Sequence, residues 1–248
     1  MLKISIVIPF YNTPTELFIE CLESVKKLKP FEVILVDDCS TDQEVIAIAK
    51  NSGYKYLKTT YQSGFDGHPF NVGVQSAQGD YVCRVDSDDI LLDLPTQMLF
   101  DIHFGKAKRV AISNNLRIED LILAPRAIFN ALVVKKELLL QYPLAEDPNV
   151  FADVLLVLRL LYNKYSYDVH DQVNYIYRKR ENSIQTSQSS FHHRLRHIQT
   201  VARFCYLENI SPSKSLYYLK LAMLNTKYGS DSRKFYHKMI QRRKNSSV

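Results

Sequence analysis

Four polar groups in this sequence have the residue types that do chemistry. Asp86-Ser87-Asp88-Asp89 sets three carboxylates within four residues, and Asp37-Asp38 sets two side by side. Tyr11-Asn12 closes an apolar run, and Asp153 opens another. Neighbouring carboxylates repel one another, so a folded chain tolerates the first group where a cation or solvent screens it. Oxygen ligands on one short turn suit Mg²⁺ or Mn²⁺, which takes one or two carboxylates and completes its shell with water or phosphate oxygens. An acidic loop capping the next helix, near Leu92, is the structural alternative for the same residues.

These groups need elements to hold them. Lys3 to Phe10 is an apolar run, followed by the turn Tyr11-Asn12-Thr13-Pro14. Thr15 opens a helix with Leu17, Cys21, Leu22 and Val25 on one face. Phe31 to Val36 reads as a second buried strand, a helix runs through Val45, Ile46, Ile48 and Ala49, and a short strand lies near Tyr54 to Leu57. After a loop from Thr59 to His68, a helix reaches about Gln78 and Asp80 to Val85 forms another strand. Continuous apolar strands separated by helices indicate a mainly parallel sheet covered on both faces. In such a sheet ligands bind at the carboxyl ends of strands. Three of the four polar groups follow strand ends directly.

Beyond Asp93 the pattern is less regular. Ala127 to Val134 reads as a strand, Lys135 to Gln141 as a short helix, Phe151 to Asn163 as an amphipathic helix and Val173 to Arg178 as a strand. Arg178 to Ser190 is a polar loop. From Phe191 the composition is helical, with Ser211-Pro212 placed to cap a second helix. His193 and His197 share a helix face, read here as basic and polar because no HExxH glutamate accompanies them. Phe204, Tyr206, Tyr217 and Tyr218 read as helix packing. The four cysteines show no metal-like spacing, which fits a reducing compartment. Neither GxGxxG nor GxxxxGK[ST] occurs, which disfavours a dinucleotide enzyme and a P-loop kinase.

Taken together, Ser5-Ile-Val-Ile-Pro-Phe-Tyr-Asn12, Val33 to Asp42, Asn71-Val-Gly73 with Ala77 to Val82, and Asp86-Ser-Asp-Asp89 resemble family 2 glycosyltransferases in order and spacing. The resemblance implies an α/β GT-A fold, a Rossmann-like, mostly parallel sheet flanked by helices. It implies a glycosyltransferase domain over 1–190, with a nucleotide-binding part at 1–93 and an acceptor part at 94–190. Residues 191–248 then form a basic helical extension. The implied reaction moves one sugar, with inversion, from a nucleotide sugar, a UDP-sugar, to a hydroxyl of a cell-surface glycan or lipid-linked acceptor. A non-catalytic nucleotide-sugar binding module is the alternative.

Residue roles follow from the same resemblance. Pro9, Tyr11 and Asn12 lie against the nucleotide base, and Asp38 bonds the uracil ring while Asp37 and Ser40 shape the turn. Asn71 and Gly73 sit beside the nucleotide. Asp86 and Asp88 form the DxD that holds the ribose and a Mn²⁺ or Mg²⁺ ion bridging the diphosphate, and Asp89 faces the donor sugar. Many members carry Arg where Phe70 stands here, so His68 or Arg84 is expected to compensate. Asp153 is the expected base, with Arg159 six residues on. Ala152 replaces the usual Glu, and Glu146 and Asp147 are the fallback candidates. Arg178, Lys179 or Arg180 would meet the diphosphate. The processive QxxRW signature is absent, which favours single-sugar addition.

Charge is uneven. Residues 191–248 hold 12 Lys and Arg against 2 Asp and Glu, a balance of +10, which leaves −4 on the rest. No window of about 18 apolar residues occurs, and the apolar stretch at Ile4–Ile8 is too short for a signal peptide. These features predict a cytoplasmic protein whose basic end docks peripherally on an anionic membrane face. Nothing in the sequence resembles a nucleic-acid-binding motif.

Overall fold

The structure is a computed structural model and describes residues 2–108, 115–123, 131–178 and 190–228. Strands β1 (Ile4–Phe10), β2 (Glu32–Asp37), β3 (Lys55–Lys58) and β4 (Tyr81–Arg84) are parallel. Helices α1 (Thr15–Leu28), α2 (Gln43–Asn51) and α3 (Gly67–Ser76) connect them. The period-2 alternation of a strand sends Val7, Ile34 and Val36 into one core layer and Ile6, Ile8, Val33 and Leu35 into the other. Helices α1 and α2 cover the second layer through Phe18, Cys21, Val25, Val45 and Ala49. Phe18 rather than Leu17 leads the buried face of α1. Asp42 caps α2 by accepting the Glu44 amide at 2.9 Å.

The second half extends the same sheet with short pieces. Strands β6 (Ile102–Phe104), β7 (Val133–Lys135) and β8 (Tyr167–Val169) complete the order β3-β2-β1-β4-β7-β6-β8. Strand β7 runs antiparallel to both β4 and β6, while β8 runs parallel to β6. Two reversals restore direction, so the carboxyl ends of β1, β2, β4, β6 and β8 share one edge. Strand β5 (Ile90–Leu91) pairs separately with β9 (Tyr175–Ile176). The segment expected as a strand from Val173 to Arg178 pairs over those two residues only. The chain near Leu92 forms no helix, so the acidic turn caps none. Residues 127–130 of the expected strand lie outside the described residues.

Helices α4 (Ile118–Leu123), α5 (Lys136–Gln141), α6 (Ala152–Tyr162), α7 (Ser190–Leu207) and α8 (Pro212–Tyr228) build on the α3 side. The two basic helices pack into the core: Val201, Phe204, Cys205, Tyr218 and Leu221 are buried with residues of α4 and α6. Tyr206, by contrast, is 74% exposed. Arg159 bonds Glu208 of the loop after α7 at 2.6 Å, so this residue ties α6 to the helical layer. Among the described residues, no helix is long and apolar enough to cross a membrane.

Gly73 is required by a close approach of α3 to the sheet. A Cβ there would lie 2.3 Å from Val7 Cγ1 and 3.2 Å from Val36 Cγ2. Both neighbours are stiff β-branched side chains in buried strands. Gly73→Ala is expected to lower stability by about 1–3 kcal/mol through overpacking, as read by chemical denaturation; an unchanged midpoint would contradict this packing.

Candidate active site

The carboxyl edge of β1, β2 and β4 gathers most of the residues singled out in the sequence, and many of them bond to other parts of the chain. Asn12 adopts φ 45°, and its Oδ1 accepts the Thr41 and Asp42 amides at 2.9 and 3.0 Å. Its own amide donates to Ser40 Oγ at 3.1 Å. Asn12 thus fastens the turn after β1 to the turn after β2. Asp37 shapes the latter by accepting the Ser40 amide at 2.6 Å and the Tyr56 hydroxyl at 2.7 Å. Asp38 is buried and accepts from the Ser63 amide and hydroxyl, the Gly64 amide and the Thr59 hydroxyl. Pro9 is buried within β1 beside Val36. Tyr11 is 42% exposed, the outward-facing member of its trio.

The next helix is held in a similar way. Asn71 Nδ2 donates to Leu144 O and to Glu146 Oε1, both at 2.9 Å, and its Oδ1 accepts the Leu144 amide. His68 Nδ1 lies 3.0 Å from the other Glu146 oxygen, and the His68 ring stacks on Tyr61. Asp147 accepts from the amide and side chain of Asn149. Both fallback acids are therefore anchored in a loop clamped to α3. Phe70 is buried in the core.

The turn Asp86–Asp89 leaves β4 through a set of buried links. Ser87 Oγ meets Thr13 Oγ1 at 2.7 Å. The Tyr175 hydroxyl, fully buried, accepts the Asp86 amide at 3.1 Å and donates to Asp89 Oδ2 at 2.9 Å. Asp89 also accepts the Arg178 amide at 2.7 Å. It is fully buried, so it anchors the strand β9 segment. The Arg178 guanidinium bonds Asp88 O, Leu17 O and Glu20; it clamps the acidic turn onto α1. Lys179 and Arg180 lie outside the described residues.

Arg84 stands at the centre. Its Nη2 lies 2.6 Å from Asp66 Oδ2 and 2.6 Å from Asp86 Oδ1. Asp66 occupies the N-cap position of α3, yet its carboxylate caps no amide and turns to Arg84. Asp153, in the first turn of α6, lies within electrostatic reach of Asp66 and Arg84. Arg196 of α7 feels Asp153, Asp66 and Asp147, donates to Val150 O at 3.0 Å and stacks over Phe151. The site thus draws on β4, the α3 N-terminus, α6 and α7.

The sequence profile of Glycosyl transferase family 2 matches residues 5–112. Residues 5–112 belong to glycosyl transferase family 2. Over 98 residues the chain is 39% identical to the Poly(ribitol-phosphate) beta-N-acetylglucosaminyltransferase TarS of Staphylococcus aureus, a match covering 37% of this chain and 17% of that protein. Glycosyltransferase GlyG of Streptococcus pneumoniae is 35% identical over 116 residues, covering 45% and 38%. The matches span well under half the length of these relatives. The TarS 1–349 crystal structure with UDP-GlcNAc superposes with a TM-score of 0.63 at 22% identity, covering 94% of this chain and 75% of that one. Glucosyl-3-phosphoglycerate synthase of Mycobacterium tuberculosis superposes at 0.59 and 18%, covering 82% and 79%. The fold is GT-A.

Charge balance around Arg84 sets the acidities. Burial pushes the Asp86 carboxyl up, Arg84 pulls it down, and Asp66 and Asp88 push it up again. Burial, then the Asp86 charge, raises Asp89 to about 7. Burial raises Asp153 to about 6, with Asp66 adding to the rise and the Val154 amide and Arg84 opposing it. Partial burial opposes ionisation of the half-exposed Asp66, but Arg84 holds it below the usual carboxylate range. Among the described residues no three His, Cys, Asp or Glu side chains converge as a metal cage. The all-oxygen turn, with carboxylates raising one another, nonetheless fits a hard divalent cation that shares its shell with substrate phosphate oxygens.

Asp66 and Arg196 were not among the residues read as functional. Asp66 is visible as a cap-type acid before Gly67; Arg196 is one of three arginines in a basic helix and carries no motif. His197, expected on a polar face, is buried and hydrogen-bonded to Ile122 O at 2.7 Å. Arg84→Met leaves Asp66 and Asp86 without their shared cation. A destabilisation of about 2 kcal/mol is expected, discounted because Asp66 is half exposed. In a double-mutant cycle, Arg84→Met with Asp66→Asn should lose less than the sum of the two; strict additivity would contradict the pairing.

Proposed function

We propose that this chain is an inverting glycosyltransferase that moves one sugar from a UDP-sugar to a hydroxyl of a cell-surface glycan or lipid-linked acceptor. The observation that carries the reading is the bonding of Arg84 to Asp66 and Asp86 at the carboxyl edge of the sheet, with Asp153 within electrostatic reach of that pair. The TarS fold, recorded with UDP-GlcNAc and with UDP, supports a uridine diphosphate donor.

The roles follow from charge and exposure. Tyr11 offers an exposed ring for the nucleotide base. Asp86 and Asp88 would hold a Mn²⁺ or Mg²⁺ ion, which supplies charge neutralisation for the diphosphate leaving group. Arg84 holds Asp86 and Asp66 in fixed orientation. Asp153, with its acidity near neutral, takes the proton of the acceptor hydroxyl. That oxygen forms the new bond to the anomeric carbon while the bond to the diphosphate oxygen breaks, and the electron pair leaves with UDP. Attack on the face opposite the leaving group inverts the configuration. The +10 balance of residues 191–248 supports peripheral contact with an anionic membrane, beside a lipid-linked acceptor.

Release of UDP from a donor panel, with and without EDTA, tests the reaction. Turnover that EDTA abolishes and Mn²⁺ restores is the expected outcome. UDP-dependent thermal stabilisation without turnover on any acceptor would instead identify a binding module, the reading that Ala152 and Phe70 favour.

The base assignment has its own test. A base titrating near 6 makes kcat/KM rise with pH through about 6 and level off above it. Asp153→Asn should lower kcat by roughly 10²- to 10⁴-fold and remove that acidic limb; activity within a few-fold of wild type would move the base elsewhere.

A further inference from the structure

Strands β6 and β8 end on the same edge as the Asp86 turn, and there a second polar cleft opens. Its volume is about 630 Å³, within the range of small-ligand sites. Asp93, Gln97, His103, Asp168, His170 and Asp171 supply its polar lining. Asp93 lies four residues past Asp89, so the cleft wall continues the acidic turn. Asn174 fastens the two: it accepts the Leu92 amide on its carbonyl at 2.8 Å, donates to Asp93 O at 3.3 Å and accepts the Lys106 amide on Oδ1 at 2.7 Å.

A residue lining the cleft carries an unsatisfied group. His103 is 6% exposed, and its Nδ1 lies 2.5 Å from Asp168 Oδ1. A carboxylate only accepts, so Nδ1 carries the proton; burial lowers the pKa of His103, which leaves the ring neutral and a lone pair on Nε2. Nε2 is buried and has no hydrogen-bond partner. A buried acceptor left unpaired is unfavourable, and a ligand hydroxyl would relieve it. The His170 ring stands edge-on to His103 at 5.3 Å, with its Nε2 3.4 Å from Asp93 Oδ2.

The lining also selects the class of ligand. Asp93, Asp168 and Asp171 offer carboxylate acceptors, and no Lys or Arg stands among the described lining residues. An anionic polymer would meet three carboxylates, and the Lys106 ammonium beside them is already engaged with Asp171 O at 2.8 Å, whereas a sugar brings several O–H donors. Leu94 and Leu99 add apolar surface suited to the C–H face of a sugar ring.

We infer that the cleft between the ends of β6 and β8 is the acceptor subsite and takes a neutral, polyhydroxylated carbohydrate, one hydroxyl of which donates to His103 Nε2. This rests on the transferase reading for the word acceptor, and on the cleft alone for the ligand class. The direct probe is saturation-transfer NMR on the full chain. Neutral di- to tetrasaccharides are compared with poly(ribitol phosphate), and UDP release from the donor panel is measured on the same preparation. At least one neutral oligosaccharide is expected to bind, in preference to the polyol phosphate. Its affinity should fall tenfold or more in His103→Gln and in Gln97→Trp, which places a bulky ring from an exposed position into the cleft and serves if the buried variant does not fold. Binding of no neutral oligosaccharide, preference for poly(ribitol phosphate), or full affinity in folded Gln97→Trp would overturn the inference. Oligosaccharide binding lost in Gln97→Trp, but without UDP release from any donor, would uphold the cleft and its ligand class while overturning the transferase reading.

Discussion

A buried guanidinium needs carboxylates beside it that stay ionised, and its charge favours their ionisation in return. Arg84 imposes this condition on three parts of the chain at once. It comes from the end of β4, it takes Asp66 from the start of α3, and it takes Asp86 from the turn that follows its own strand. The position of α3 relative to the sheet, fixed by Gly73 against Val7 and Val36, decides whether Asp66 can reach. The N-terminus of α6 adds Asp153 to the same field, and α7 adds Arg196. Helix α7 is therefore a partner of the site as well as part of the core.

The sheet explains how a second site arises on the same edge. A single antiparallel strand, β7, lies between β4 and β6. Because it reverses direction on both sides, β6 and β8 emerge beside β4 with their carboxyl ends aligned. One half of that edge presents a cation-linked acidic turn, and the other presents a histidine and carboxylate cleft. The two halves of one sheet edge thus carry polar groups of different chemistry.

Much of this was legible in the sequence where the signal is local. The apolar runs of β1, β2 and β4 mark a parallel sheet, and their polar ends mark the edge where ligands bind. The second half was less legible because β6, β7 and β8 are three residues each, and their partners lie far along the chain. Residue type also hides which atoms remain available. Asn12, Asp38, Asn71, Asp89 and Arg178 have the right chemistry to touch a nucleotide sugar, yet each is bonded to the protein's own loops. His103 shows the reverse: a lone histidine in a short strand carries no motif, and only folding reveals its unpaired nitrogen.

The central claim is that the turn beside Arg84 binds the diphosphate of a uridine nucleotide together with a divalent cation. Isothermal titration of UDP into the full chain, with and without Mn²⁺, measures this directly. Mn²⁺ should tighten UDP binding at least tenfold, and Asp88→Asn should abolish that gain while leaving the chain folded. Equal affinity with and without Mn²⁺, or a gain that persists in Asp88→Asn, would contradict the account.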